Sequence, residues 1–396
     1  MNTESGKRIY FFANGIYSDQ ISGGDIHFFH MAQTAMDAGY IVHFFGGHAL
    51  EKQLRSRFKH FELTLTDRSQ AKPFNANSFF GQFKLLADYA RRLFGSLRRI
   101  SKVQPDEIAY AVNDYWFDVW PMLCCKARRK LMILGMDAPT LREILFRARP
   151  DVTASRLNSI YYWLSQNLSL WLFHFRENKR LFYVHPDMES RLLRIGYEKE
   201  EMVFISNGMN LKAVEQVPSQ KKEFDVIWLG RVHRQKGIDD LLATLVVLSK
   251  KVKDFRAVLV GRLQELEPRL KELNLTDFVK LSGLVSEEEK FRLFKASRVF
   301  LMPSRQESWG IVIAESLACG TPTVAYDLPA YRPIFGALVD YVPCFDFELF
   351  KKKSLEAVEK SRRGQIILDA AKSAELKSEH SWEAAGNRFI AAAKSL

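Results

Sequence analysis

Short runs of consecutive apolar residues alternate with longer amphipathic stretches along the chain. Arg8 to Ala13 (RIYFFA) reads as a buried strand. A polar loop follows, ending in Ser22-Gly23-Gly24, and a helix is expected from about Asp25 to Ala38, stopped by Gly39. Ile41 to Phe45 (IVHFF) is a second strand, so the unit is strand, loop, helix, strand and predicts a parallel sheet. Further strands are expected at Glu107–Val112, Lys130–Leu134, Leu181–Val184 and Val203–Ile205, with helices between them. The pattern pauses at Leu211 to Phe224 (LKAVEQVPSQKKEF), which is polar, contains a proline and reads as an interdomain linker. A second series then places strands at Asp225–Leu229, Ala257–Val260, Val279–Leu281, Val299–Met302 and Thr323–Tyr326. Two such series imply two doubly wound α/β sheets, which bind ligands beyond the carboxyl ends of their strands.

The length of 396 residues suits two domains. Their expected bounds are 1–215 and 216–378, with 379–396 as a closing helix. Lys and Arg number 58 against 46 Asp and Glu, and the net charge of +12 favours anionic partners without choosing among them. Cys124, Cys125, Cys319 and Cys344 form neither a zinc pattern nor a disulfide framework, and a cytoplasmic setting is expected. Met1 to Arg8 is polar and unlike a signal peptide. Leu157 to Phe175 carries too many Asn, Gln and Ser for a membrane span and predicts a long helix with an aromatic buried face. His27 and His30 share one helix without a third ligand nearby, so no metal is expected.

Three segments carry candidate chemistry. In Met302 to Pro322 (MPSRQESWGIVIAESLACGTP), a strand ends, a loop carries Glu307, and Gly310 opens a helix that carries Glu315. Free N–H groups at the helix start suit a pyrophosphate, a carboxylate further along can accept both hydrogens of a ribose diol, and Glu307 lies at the opposite end. The eight-residue offset is roughly 12 Å at helical rise, the separation of ribose and hexose in a nucleotide sugar. A plain helix with a solvated acidic pair reads equally well from spacing alone. Gly230 to Gly237 (GRVHRQKG) follows the first strand of the second series, and Arg231 and Lys236 can face a diphosphate. In isolation it also suits a solvated basic loop, and its spacing is not that of a Walker loop. Gly23-Gly24 lets a backbone approach a phosphate or sugar, or merely shapes a turn.

Together these segments resemble the retaining glycosyltransferases of the "group 1" type, glycosyltransferase family four. The resemblance adds Ile205 to Asn210 (ISNGMN), Leu281 to Val285 (LSGLV) and Ser381-Trp382-Glu383 in the right order. It implies a GT-B fold: two facing Rossmann-like domains with the last helix packing back on the first. It also implies metal-independent transfer from a nucleoside-diphosphate sugar with retained anomeric configuration, and no cofactor. Glu307 would contact the donor sugar, Glu315 the ribose, and Arg231 and Lys236 the diphosphate. Gly283, Leu284 and Val285 would line the base, and Ser308, Trp309, Gly310 and Ile311 the donor. Gly23 and Gly24 would approach the donor from the first domain. The family commonly has a His-Asp pair after the Lys130–Leu134 strand; here Met136 replaces the His and Asp137 is retained. Similarly, His185-Pro186 stands where a Ser is frequent. Asp114 is a candidate acceptor residue or a helix N-cap. The Met136 replacement leaves open a catalytically silent subunit serving a partner enzyme, and an epimerase on the same fold is a further alternative.

Gln82 to Ser101 reads as an amphipathic helix, with Leu86, Ala90, Leu93, Leu97 and Ile100 on one side and Lys84, Arg91, Arg98 and Lys102 on the other. Arg92 and Arg99 flank the basic side, and only Asp88 offsets them. This charge suits the anionic inner face of a membrane carrying a glycan or lipid-linked acceptor, or is simply a solvated face. No nucleic-acid-binding signature accompanies it, so nucleic acid is not an expected partner.

Overall fold

The computed structural model describes residues 8–16, 23–67, 79–136, 138–146 and 156–396. The chain forms two compact units, one of residues up to Ser206 plus Ala385–Leu396, the other from Asn207 to Ala384. In the first unit the opening elements are β1 (Arg8–Phe12), α1 (Gly23–Asp37), β2 (Ile41–Gly46), α2 (His48–Arg55) and β3 (Glu62–Leu65). They are followed by α3 (Phe79–Leu97), β4 (Ile108–Ala111), α4 (Trp116–Cys124), β5 (Arg129–Leu134) and α5 (Leu141–Phe146). The unit closes with α6 (Arg156–His174), β6 (Lys179–Tyr183), α7 (Met188–Ile195) and β7 (Met202–Phe204). Its seven strands are all parallel in the order β3-β2-β1-β4-β5-β6-β7. The order reverses between β1 and β4, which is where a doubly wound sheet opens a crevice.

The second unit begins with α8 (Leu211–Gln216), β8 (Phe224–Leu229), α9 (Ile238–Lys251), β9 (Ala257–Val260) and α10 (Glu267–Glu272). Next come β10 (Val279–Leu281), α11 (Glu287–Lys295), β11 (Ser297–Met302), α12 (Ile311–Ala318) and β12 (Thr323–Tyr326). It ends with α13 (Arg332–Phe335), β13 (Val339–Val342), α14 (Phe347–Arg362), α15 (Ala370–Glu379) and the start of α16 (Trp382–Lys394). Its parallel strands run β10-β9-β8-β11-β12-β13, and the reversal lies between β8 and β11. Both sheets are covered on both faces, so their central strands are continuous apolar runs, which is the signal legible in the sequence. The short strands β3 and β13 lacked it: β3 is half-exposed and β13 carries the exposed Asp340.

Three expectations need correction. The stretch 211–224 is not a free linker. Asn210 caps α8 by accepting from Ala213 N, Met209 bridges to Ser381, and Lys295 Nζ donates to the carbonyls of Val214 and Val217. The 82–101 helix ends at Leu97, and Ile100–Lys102 is a separate short turn. Within it Arg92 is buried rather than part of a basic face. It is held by Asp88 at 2.6 Å and by Asp67, and it donates to the Asn14 and Ile16 carbonyls, so Asp88 neutralises a core arginine and not a surface stripe. Finally, α6 does not simply bury its aromatic side. Leu170 and Phe173 point inward beside Ser165, Gln166 and Ser169, whereas Trp171 and Phe175 face outward. Among the described residues no helix is long and apolar enough to cross a membrane.

Candidate active site

In the second unit the two loops that leave the switch-point strands are bonded to each other. After β8 the chain passes Gly230 and the exposed Arg231, then makes a single tight turn at Arg234–Lys236 in which the His233 side chain accepts from Gln235 N. Gly237 follows in the left-handed region, with φ of +64°, so that α9 starts directly beneath the loop after β11. A Cβ there would overlap the Pro303 carbonyl oxygen, so glycine is what permits the approach. Arg305 N donates to the Gln235 carbonyl at 2.7 Å, Gln235 donates to the Gln306 side chain, and Lys236 Nζ donates to Glu307 Oε1. Beneath them Arg305 and the Tyr326 hydroxyl both donate to Asp240 at 2.9–3.0 Å, fixing the loop base to α9.

Gly310, with φ of +92°, turns the chain into α12, packing closely on Tyr331 and Phe335. Trp309 just before it is buried against Phe335 and His380. Helical geometry begins only at Ile311, so Glu307 to Gly310 is loop and the Glu307–Glu315 offset is not one continuous helical rise. Glu315 is buried, and Lys290 of α11 donates to its Oε1 at 2.5 Å. Burial pushes the Glu315 carboxyl up from its ordinary range, and Lys290 opposes that. The two glutamates are therefore each met by a separate lysine. Ser308 and Ile311 are partly exposed beside them.

The rim is completed by glycine loops at neighbouring strand ends. Gly230 N donates to the Val260 carbonyl at 3.0 Å, and Gly261 N to the Gly283 carbonyl at 2.9 Å. Gly283 itself has φ of +66° with open space around its Cα, Leu284 beside it is 69% exposed, and Val285 is partly exposed. This corner thus offers a helix start, two cations on one loop, two carboxylates, and an exposed apolar residue on a third loop. Such groups are of the chemical kind that an extended anionic ligand with hydroxyls at both ends would need.

The first unit has its own polar cluster at its switch point. Asp114, in the loop after β4, is buried; Gln166 Nε2 donates to it at 2.5 Å and the Tyr162 hydroxyl at 3.4 Å. It is not the N-cap of α4, which is Tyr115; Asn113 accepts from Tyr115 N instead. Burial raises Asp114 to about 6 despite those bonds and Arg191 nearby. Gln166 and Tyr162 also donate to the Met136 carbonyl at 2.7 and 2.8 Å, so α6 fixes the loop that carries the His-to-Met departure. Asp137 lies outside the described residues, as does Ser22; Gly23 and Gly24 are exposed at the start of α1. His185 is buried, and its Nδ1 accepts from Asp187 N at 3.2 Å.

Sequence reading missed Lys290, Gln166 and Asp118. Asp118 accepts from Asn14 N and Asn113 Nδ2, each at 2.5 Å, and burial raises it to about 8. Asp118 sits four residues beyond the flagged Asp114 in an otherwise apolar helix, which was a usable signal. Lys290 had none, because its partner is 25 residues away on another helix.

Comparison with known proteins places this geometry. Residues 211–371 match the family described as Glycosyl transferases group 1. A phosphatidyl-myo-inositol mannosyltransferase of Mycobacterium leprae is 30% identical over 154 residues, covering 37% of this chain and 41% of that relative, less than half its length. Sucrose-phosphate synthase from Thermosynechococcus elongatus is similar in fold, with a TM-score of 0.66 at 17% identity over 98% of both chains. HepE of Anabaena, solved with UDP and glucose, also gives 0.66, at 15% identity over 98% of this chain and 100% of that one. The GT-B fold is therefore shared across both units.

Proposed function

Because residues 211–371 of this chain match the family described as Glycosyl transferases group 1, we propose that the protein is a retaining hexosyltransferase. It moves a hexose-type sugar from a UDP- or GDP-linked donor to a glycan or lipid-linked acceptor, without a metal ion. The observation that carries this reading is the Lys236–Glu307 pair at the switch point of the second sheet, beside the start of α12 and Glu315.

In this reading the diphosphate lies at the start of α12, Glu315 accepts from the ribose diol, and the hexose projects towards Glu307. The bond from the anomeric carbon to the diphosphate oxygen breaks and its electron pair leaves with the phosphate. Arg231 and Lys236 stabilise the charge that accumulates there. The acceptor oxygen bonds the anomeric carbon from the same face and gives its proton to the departing phosphate oxygen. Lys236 Nζ donates to Glu307 Oε1, so a phosphate at this lysine competes with the carboxylate for it.

Thermal unfolding with UDP, GDP, ADP and their sugars, in the presence of EDTA, tests the reading. A nucleotide at about a hundred times its dissociation constant adds about 2.7 kcal/mol. One base is expected to stabilise the protein, and Arg231→Ala to abolish that shift. If no nucleotide shifts the transition, the donor-site assignment fails.

A further inference from the structure

Helix α6 carries an apolar stripe on its outer side. Its buried positions mix Leu170 and Phe173 with Ser165, Gln166 and Ser169, while Leu164, Leu168, Trp171 and Phe175 form the outward stripe at 54%, 43%, 54% and 65% exposure. Their spacing of four, three and four residues puts them on one side of the helix. Trp171 and Phe175 meet edge to face at 5.1 Å, so the stripe is continuous at its C-terminal end. Leu145 and Phe146 of α5, which packs against α6, are 61% and 74% exposed and widen the apolar face. No residue from Leu157 to Phe175 is acidic, lysine or arginine. Surface helices of a water-soluble unit carry their charges outward and their apolar residues inward. Here the inward side chains include Gln166, bonded to Asp114 and Arg191, beside Leu170 and Phe173, and a second apolar stripe faces outward.

We infer that the outward face of α5 and α6 docks onto an anionic phospholipid bilayer, with Leu168, Trp171 and Phe175 entering the headgroup–acyl boundary. This inference goes beyond glycosyl transfer and does not rest on it. It also moves the contact away from the basic face of α3. Charge selects the occupant. The exposed Arg156 opens α6, the exposed Arg176 follows Phe175 at the end of the stripe, and the exposed Arg142 lies on α5, with Glu177 beside Arg176 and Glu143 beside Arg142 in sequence. Cations rimming an apolar stripe with an aromatic residue at one end match lipid phosphates around a shallow hydrocarbon insertion.

Sedimentation of the full chain with two vesicle preparations tests this, one of phosphatidylcholine alone and one with phosphatidylglycerol added. The wild type is expected to bind the anionic vesicles preferentially. Leu168→Glu/Trp171→Glu is expected to lower that partition by about tenfold or more, since two apolar insertions are lost. Trp171→Phe should retain most of it. An unchanged unfolding midpoint shows that the double variant folds, and an unchanged nucleotide-induced shift separates this result from any failure of the donor site. The inference is overturned if the wild type binds neither vesicle or if the double variant binds as the wild type does. Light scattering that shows a wild-type dimer dissociated by the double variant overturns it in favour of a second copy.

Discussion

Glu315 and Lys290 form a buried pair in which removing either partner does not simply subtract a contact. Lys290→Met leaves a carboxylate with almost no access to water, which costs about 3–5 kcal/mol when ionised. Burial already raises the Glu315 carboxyl, and loss of the lysine raises it further. A carboxyl raised in the folded state contributes stability that is present at low pH and lost as pH rises through its folded value. The penalty of Lys290→Met should therefore be smaller at low pH than at high pH in urea titrations, and Lys290→Met/Glu315→Gln should recover most of it. A penalty that does not vary with pH would mean that Lys290 acts by packing alone. The same logic applies to Asp114, raised to about 6, and Asp118, raised to about 8. Each favours folding below the ordinary carboxylate range and loses that contribution as pH rises through its own value. Asp114→Asn should lessen the decline in unfolding free energy between about pH 4 and pH 6 and leave the decline due to Asp118, which runs from about pH 4 to about pH 8. A pH profile parallel to the wild type's would contradict the assignment of that decline to Asp114.

Two glycines with nearly the same backbone angle separate conformational strain from steric approach at the level of loops and helices. Gly237 and Gly283 have φ of +64° and +66°. Around Gly283 nothing lies within 4 Å of an added Cβ, so Gly283→Ala should cost only the left-handed penalty, about 1–2 kcal/mol. At Gly237 the added carbon meets the Pro303 backbone, and the loop carrying Lys236 must move off the loop carrying Glu307. Gly237→Ala should destabilise by more than Gly283→Ala and abolish the nucleotide-induced shift; equal costs and an intact shift would show that the loops move independently. The β8–α9 and β11–α12 loops were legible in the sequence because glycines, cations and carboxylates cluster there along the chain. What escaped was pairing between elements: Lys290 with Glu315, Gln166 with Asp114, and Arg92 with Asp67 and Asp88. Arg92 looked like its solvent-facing neighbours because helical spacing cannot tell a core ion pair from a surface stripe. The sequence of α6 was misread for the opposite reason: apolar periodicity says that a helix has an apolar side, and not that the side faces the core.

The chain leaves the first unit at Ser206, builds the second, and re-enters the first at Ala385, within the last helix. The residues Ser381-Trp382-Glu383 marked that helix in the sequence, and Ser381 Oγ caps it by accepting from Ala384 N at 3.0 Å. Contact partners rather than the chain's polarity pauses set the unit boundaries. Phe389 shows what the returning segment does. It is fully buried against Phe11 of β1, Tyr110 of β4 and Phe182 of β6, so it packs on the central strands of the first sheet although it lies 207 residues or more further along the chain. Gly386 in the same helix sits so close to Thr34 of α1 that a Cβ would stand 2.6 Å from its hydroxyl. Phe389→Ala removes an aromatic ring from a core that cannot refill it from local sequence, a loss of about 3–5 kcal/mol. That loss belongs to the first unit, whereas Arg231, Lys236, Glu307 and Glu315 of the proposed nucleotide site belong to the second. Calorimetry of Phe389→Ala should therefore lower the transition of the first unit and leave the nucleotide-induced increase in the second in place. If a single transition falls and the nucleotide raises it as a whole, the two units unfold as one cooperative body, and the returning helix transmits donor binding to the stability of the first sheet.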